Sequence, residues 1–64
     1  MPAVRVEASR GTSVKVGDLV KRGQKLGIAL DFRGSVTSPV DGVVRSVDFD
    51  SETHSFVIKI EEQH

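Results

Sequence analysis

The 64-residue chain contains no cysteine, tryptophan or tyrosine, and it has only three phenylalanines. Without cysteine, neither a disulfide nor a thiolate metal site can stabilise the fold. A chain of this length buries a comparatively small fraction of its surface, so we expect one domain, residues 1–64, near the lower size limit for independent folding. An efficient core, a partner or self-association must then supply the stability that size does not.

An excess of charge of either sign is also absent, because nine Lys and Arg residues balance nine Asp and Glu residues. Nucleic-acid binding favours a clustered basic excess, so no nucleic-acid partner is expected. The apolar runs span only a few residues, far short of the roughly 20 of a membrane-spanning helix, so no membrane insertion is expected. The N-terminal residues lack the apolar stretch of a signal peptide, which predicts a cytoplasmic protein.

Alternating apolar residues indicate strands, and no segment sustains the 3.6-residue period of a helix. Strands are predicted over residues 3–8, 25–30, 43–49 and 55–61, with shorter strands between them. The predicted fold class is therefore all-β, with about six short strands. Residues that point inward under this alternation form the predicted core: Val4, Val6, Val14, Val16, Val20, Leu26, Ile28, Leu30, Val36, Val43, Val47, Phe49, Phe56, Ile58 and Ile60.

Residues 30–42 are predicted to be the centre of the sheet, because apolar runs flank them on both sides. They read as an exposed turn containing Gly34, a short strand, and a second turn containing Pro39 and Gly42. Two further turns are predicted in the preceding segment, residues 14–26, which reads as a strand-turn-strand corner. The predicted structural turn residues are Gly17, Asp18, Gly23, Gly34, Pro39 and Gly42.

Two segments carry a resemblance to a known family. Residues 16–26 read Val-Gly-Asp-Leu-Val-Lys-Arg-Gly-Gln-Lys-Leu, and residues 38–44 read Ser-Pro-Val-Asp-Gly-Val-Val. In this order they resemble the biotinyl/lipoyl-carrier family, in which a Gly-Asp corner packs beneath an exposed hairpin and a Pro-x-x-Gly turn leads into the next strand. The resemblance covers residues 4–61 and implies a small barrel-sandwich hybrid.

The second half of this predicted fold is abbreviated, since the corner of residues 14–26 has no clear counterpart there. One side of the sheet is therefore expected to be uncovered. Exposed edges and apolar patches are relieved by association, so we expect a homodimer or a partner-bound module.

Carriers of this family hold their cofactor on a lysine in the turn before the Pro-x-x-Gly segment, and the spacing places Asp31 at that position. A carboxylate cannot form the amide that joins biotin or lipoate to a lysine amine. The neighbouring Arg33 stays protonated and is a poor nucleophile. The resemblance therefore implies a carrier scaffold with no attached cofactor.

Two families that lack the lysine are similar as well. The carrier-like module of the Rnf electron-transport complex C subunit implies a docking element within a larger assembly. The glucose-type phosphocarrier of the sugar phosphotransferase system shares the turn of residues 39–42 and a His-x-Phe-x-Ile pattern that begins at His54. Its phosphorylated histidine belongs to a further segment, so His54 is expected to be a partner group at most.

Asp31, Phe32 and Arg33 lie on the predicted projecting turn, which we call the hairpin tip (residues 30–34). An exposed aromatic ring beside two charges can anchor a protein partner. In the alternative interpretation, the ring folds back onto the sheet and the charges are solvated. The leading hypothesis is a non-catalytic module that binds protein partners through this tip.

Other polar residues carry no strong signal. The acidic stretch of residues 48–52, with His54, has oxygen and imidazole groups but lacks the spacing of a calcium loop, so no metal site is predicted. The serines and histidines show no nucleophile motif, and the glycines are dispersed as turn residues, so no enzyme is predicted.

Overall fold

The computed structural model describes residues 1–63, and within them it contains six β-strands and no helix. The prediction of an all-β fold with about six strands is confirmed, although the last two strands are longer than predicted. His64, the last residue of the predicted domain, lies outside the described residues. No segment of residues 1–63 forms a helix that is long and apolar enough to cross a membrane. The strands are β1 (Ala3–Glu7), β2 (Leu19–Val20), β3 (Lys25–Ile28), β4 (Ser35–Thr37), β5 (Gly42–Asp50) and β6 (Ser55–Glu62).

Four strands form an antiparallel sheet in the order β1-β6-β5-β2, while β3 and β4 form a separate two-stranded hairpin. Together they curl into a half-barrel. The hairpin packs against β1, with Gly27 lying directly over Val6. The prediction that residues 30–42 lie mid-sheet is therefore wrong. Flanking apolar runs indicate only that a segment is buried. The runs are buried equally well when a hairpin packs across another sheet and when a strand is inserted between two others.

A β-bulge in the long β5–β6 hairpin decides which residues of β5 face the core. Val44 lies opposite Ile60 and Val47 opposite Ile58, with the register shifting between Val44 and Ser46. The extra residue puts Val44 and Val47 on the same face although they are three positions apart. Strict alternation predicted Val44 on the outer face, but it is fully buried, whereas Val43 is only half-buried.

The core lies between the four-stranded sheet and the β3–β4 hairpin. Three residues of the predicted core are instead exposed: Val16, Leu30 and Phe49. Val16 lies in a turn, Leu30 follows the end of β3, and Phe49 lies near the end of β5, beyond the packed layer. The fully or almost fully buried apolar residues are Val6, Val14, Val20, Leu26, Val44, Ile58 and Ile60.

The corner that precedes β2 is a tight turn closed by its own side chain. Gly17 has a φ of +95°, which glycine adopts without steric penalty. The N–H of Asp18 donates to the Lys15 carbonyl at 3.0 Å, and the Asp18 carboxylate accepts the Lys15 N–H at 3.0 Å. The Gly17 N–H donates to the Val44 carbonyl at 2.8 Å, which anchors this turn to β5.

A second turn, six residues later, repeats this hydrogen-bond pattern. Gly23 has a φ of +86°, and the N–H of Gln24 donates to the Lys21 carbonyl at 2.9 Å. The Gln24 side-chain oxygen accepts the Lys21 N–H at 3.0 Å, as the Asp18 carboxylate does for Lys15. This turn is anchored to the segment after β4, because the Gly23 N–H donates to the Ser38 carbonyl at 2.8 Å.

The segment around Pro39 joins this second turn to β5. The Asp41 carboxylate accepts the Arg22 N–H at 2.7 Å, and the Asp41 carbonyl accepts the Gln63 N–H at 2.9 Å. Gly42 is the first residue of β5 and is buried. The Pro-Val-Asp-Gly stretch therefore fixes both the corner and the end of β6.

Candidate functional site

Three hydrogen bonds close the hairpin tip between β3 and β4. The Ala29 N–H donates to the Gly34 carbonyl at 2.8 Å, and the Phe32 N–H donates to the Ala29 carbonyl at 2.9 Å. The Asp31 carboxylate accepts the Arg33 N–H at 2.9 Å. Short polar side chains commonly stabilise turns in this way. The tip is thus a defined turn and not an open loop.

Phe32 has a φ of +63°, in the left-handed region of backbone space. For a bulky residue this conformation is rare and costs about 1–2 kcal/mol. Gly34 lies two residues later, has no positive φ, and has open space around the position of a Cβ atom. The strained position of this turn is therefore occupied by an aromatic residue, and such outliers concentrate at functional sites.

The side chains of the tip project into solvent. Phe32 is 58% exposed and Leu30 is also exposed, so the ring does not fold back onto the sheet. Asp31 and Arg33 are exposed on either side of the ring in sequence. Neither has an ion-pair partner within residues 1–63. The tip therefore presents two apolar side chains next to one negative and one positive charge.

A second polar cluster, which the sequence pattern did not reveal, surrounds Glu7. The alternation that places Val4 and Val6 inward predicts that Glu7 points outward, but its side chain is buried beneath the turn that follows β1. Its carboxylate accepts the Ser9 N–H at 2.8 Å, the Ser9 hydroxyl at 2.5 Å and the Arg10 N–H at 3.0 Å. His54 Nδ1 lies 3.5 Å from the same carboxylate. The feature of the sequence that could have indicated this cluster is a glutamate directly before an Ala-Ser-Arg-Gly turn.

The hydrogen bond from the Ser9 hydroxyl holds the pKa of Glu7 below its ordinary value. Burial acts in the opposite direction, and the N–H groups of Ser9 and Arg10 add to the lowering. The folded state therefore favours the ionised carboxylate more than the unfolded chain does, so Glu7 contributes stability while it is charged.

Glu7 contributes this stability at pH values above the ordinary glutamate pKa of about 4.3. The contribution is lost as the pH falls from that value through the lower pKa that Glu7 has in the folded state. We expect Glu7→Gln to be less stable than the wild type at pH 7, with a smaller loss of stability between pH 7 and pH 3. Urea denaturation at both pH values measures this difference. Ser9→Ala is expected to show a smaller loss of stability at pH 7 of the same kind. If the stability of Glu7→Gln depended on pH as that of the wild type does, the stabilising role of the Glu7 carboxylate would be contradicted.

Arg5 joins β1 to the loop of the β5–β6 hairpin. Its guanidinium donates to the Asp50 carboxylate at 2.7 Å and to the Thr53 and Ser55 hydroxyls at 3.2 Å each. The bond from Arg5 lowers the pKa of Asp50. Asp50 is thus engaged in the fold. Among residues 1–63, no three acidic, histidine or cysteine side chains are grouped so that they could hold a metal ion.

His54 lies at the end of the β5–β6 loop, with an exposed side chain and a φ of +50°. Its ring meets Phe49 edge-on at a centroid distance of 5.8 Å, and Phe49 meets Phe56 at 5.7 Å. His54 and the tip are therefore built on different hairpins. Residues 1–63 form no enclosed pocket.

No protein-family model matches the chain, and neither curated proteins nor solved structures show a match to it.

Proposed function

We propose that this chain is a non-catalytic interaction module, a barrel-sandwich hybrid without an attached cofactor, that binds a protein partner through its hairpin tip. The observation that carries the proposal is the exposed ring of Phe32 on a left-handed backbone. Folding alone gives no reason for an aromatic residue there, because a residue suited to positive φ would remove the strain.

An aromatic ring presented in this way suits insertion into an apolar pocket of a partner. Central aromatic anchors contribute about 2 kcal/mol or more in many protein interfaces. The three hydrogen bonds that close the tip limit the conformational entropy lost on binding. Asp31 and Arg33 offer a carboxylate and a guanidinium at the rim, where they would orient the partner rather than supply most of the affinity.

The side chain at the position of the carrier lysine also favours a function in partner binding over a function in group transfer. Asp31 has no nucleophilic amine, and one of its carboxylate oxygens is engaged by the Arg33 N–H. A docking element within a larger assembly, such as an electron-transport complex, would use the same surface.

The substitution Phe32→Asn tests whether the Phe32 ring serves partner binding or supports the fold. Asparagine tolerates positive φ, so the variant is expected to equal or exceed the wild type in unfolding free energy, by up to about 1 kcal/mol. Thermal and urea denaturation measure this. A loss of more than about 1 kcal/mol would show that the ring supports the fold and would remove the reason to assign it a partner.

Affinity capture from the native host tests partner binding. Immobilised wild-type chain is compared with Phe32→Asn and with Gly34→Ala, a change in the same turn that meets open space. We expect one protein to be retained by wild type and Gly34→Ala and to fall at least tenfold with Phe32→Asn. Identical capture by all three chains would refute the tip as the binding site.

A second candidate function is phosphoryl acceptance at His54 from a phosphorylated donor protein. The observation in its favour is the Glu7 carboxylate 3.5 Å from Nδ1, which orients the exposed ring and leaves Nε2 as the accepting nitrogen. The intact mass of the chain from its native host, measured at neutral pH, distinguishes the two functions. A phosphoryl increment lost in His54→Ala supports the second, and a biotinyl or lipoyl increment contradicts both.

A further inference from the structure

The outer edge of β4 has no neighbouring strand within residues 1–63. β4 pairs only with β3, whose other side is bridged by Thr12. Of the four-stranded sheet, only its terminal strand β1 comes close to the β3–β4 hairpin, and there Val6 lies against Gly27 on the face of the hairpin. Ser35 and Thr37 of β4 are both exposed. This edge is therefore open to another chain.

Two hydrogen bonds show which backbone groups of β4 face the open edge. The Gly34 carbonyl accepts the Ala29 N–H at 2.8 Å, and the Ser38 N–H donates to a carbonyl of the segment before β3 at 2.9 Å. Residues 34 and 38 thus direct their backbone groups toward β3. Direction alternates along a strand, so Ser35 and Thr37 direct their N–H and carbonyl groups away from β3. Within residues 1–63 these groups have no hydrogen-bond partner.

The other free edges of the chain carry features that oppose pairing with another molecule. The free side of β1 belongs to a strand with Arg5 and Glu7, and the distal half of β5 has Asp48 and Asp50. Charged residues on an edge strand discourage association, and so does a very short strand such as the two-residue β2. The sequence of β4 is Ser-Val-Thr and contains no charge. The uncharged edge is therefore the one suited to association.

We infer that a second copy of this chain occupies the edge, with the two β4 strands antiparallel about a two-fold axis at Val36. Ser35 of each copy then lies opposite Thr37 of the other, and the two residues exchange N–H···O bonds. Their hydroxyl side chains form cross-strand pairs on the exposed face, while Val36, which packs against the core, meets its counterpart on the inner face. The strand is thus complementary to itself.

Beyond residues 35–37, this pairing stops at Pro39, which has no N–H to donate. The neighbouring turn of residues 21–24 does not occupy the edge, because the Gly23 N–H reaches the Ser38 carbonyl from the β3 side. Each end of the paired strands brings together charges of both signs: Asp31 and Arg33 from one copy, with Lys25, Arg22 and Asp41 from the other. The association is therefore expected to depend little on salt.

Single-cysteine variants test this register, because the chain has no cysteine of its own. Opposed residues have Cα atoms about 5.5 Å apart, within reach of a disulfide, whereas the two Ser35 residues of the dimer are about 8 Å apart, beyond that reach. In a glutathione redox buffer, an equimolar mixture of Ser35→Cys and Thr37→Cys is expected to form at least tenfold more disulfide dimer than either variant alone. Ser35→Cys mixed with Ser51→Cys, an exposed position on the other hairpin, is the matched control and is expected to show no such gain.

N-methylation of single amides, by chemical synthesis of the chain, tests the edge itself. Sedimentation equilibrium of the unmodified chain is expected to show a concentration-dependent dimer that changes little with added salt. A methyl group on the Thr37 nitrogen is expected to keep the β-sheet circular dichroism signal and to lower the association constant at least tenfold.

The control for this measurement is a methyl group on the Val47 nitrogen. Val47 faces the free side of β5, because its partner Ile58, like Ile60, directs its backbone toward β1. This chain is expected to fold and to associate as the unmodified one does. A monomer at every concentration, equal disulfide yields from mixed and single variants, or undiminished association of the Thr37-methylated chain would overturn the inference. Loss of association only on methylation of Val47 would also overturn it, since the interface would then lie on β5.

Discussion

Replacing Gly42 by alanine is expected to destabilise the chain by about 3 kcal/mol or more, which would unfold much of it at room temperature. A Cβ atom at this position would lie far inside van der Waals contact of the Glu61 carbonyl oxygen and 2.9 Å from Ile60 Cγ2. Neither group can withdraw easily, because β6 is held between β5 and β1. The effect is measured by urea denaturation, or by loss of the β-sheet circular dichroism signal.

Gly34→Ala is the matched control, because a Cβ atom there meets nothing within 4 Å and the residue has no positive φ. It is expected to change the unfolding free energy by no more than about 0.5 kcal/mol. Equal effects at Gly34 and Gly42 would contradict the close approach of β5 and β6 at this point.

Val44→Lys is expected to have the second large effect. Val44 is fully buried opposite Ile60, and an unpaired ammonium group in that position costs several kcal/mol, enough to unfold a domain of this size. Val43→Lys is the comparison, since Val43 is half-buried, points to the other face, and lies opposite Glu61. It is expected to remain folded, with a change of about 1 kcal/mol or less.

These two lysine variants test the bulge directly. Under strict alternation from Val43 to Phe49, the damaging substitution would be the one at Val43. A chain that tolerates Val44→Lys and unfolds with Val43→Lys would therefore contradict the observed register of β5. Thermal denaturation of both variants at pH 7 distinguishes the outcomes.

Alternation of apolar residues predicted the strands well because most of this chain has one face on the core and one in water. It predicted β6 over residues 55–61, close to the observed Ser55–Glu62. It failed at Val44, because a bulge adds a residue to one strand without changing which residue types are apolar. It also failed for the position of the β3–β4 hairpin, since a sequence period records burial and not the identity of the neighbouring strand.

The candidate site was likewise predicted in part from the sequence. Turn residues and polarity were enough to predict that Asp31, Phe32 and Arg33 lie in a turn, and all three are exposed there. They did not predict that Phe32 takes the positive φ, because Gly34 offered an easier place for it. Glu7 was missed for a related reason: its burial depends on a turn that folds over the end of β1, which a two-residue period does not describe.

Photo-cross-linking from the tip in the native host tests the proposed function most directly. A photoreactive phenylalanine analogue is placed at position 32 or, as the control, at position 49, whose natural phenylalanines are 58% and 55% exposed. Position 32 is expected to give one discrete adduct with another protein, in lower yield when Arg33→Glu is added, while position 49 is expected not to give that adduct. The same heterologous adduct from both positions, or none from position 32, would contradict partner binding through the hairpin tip.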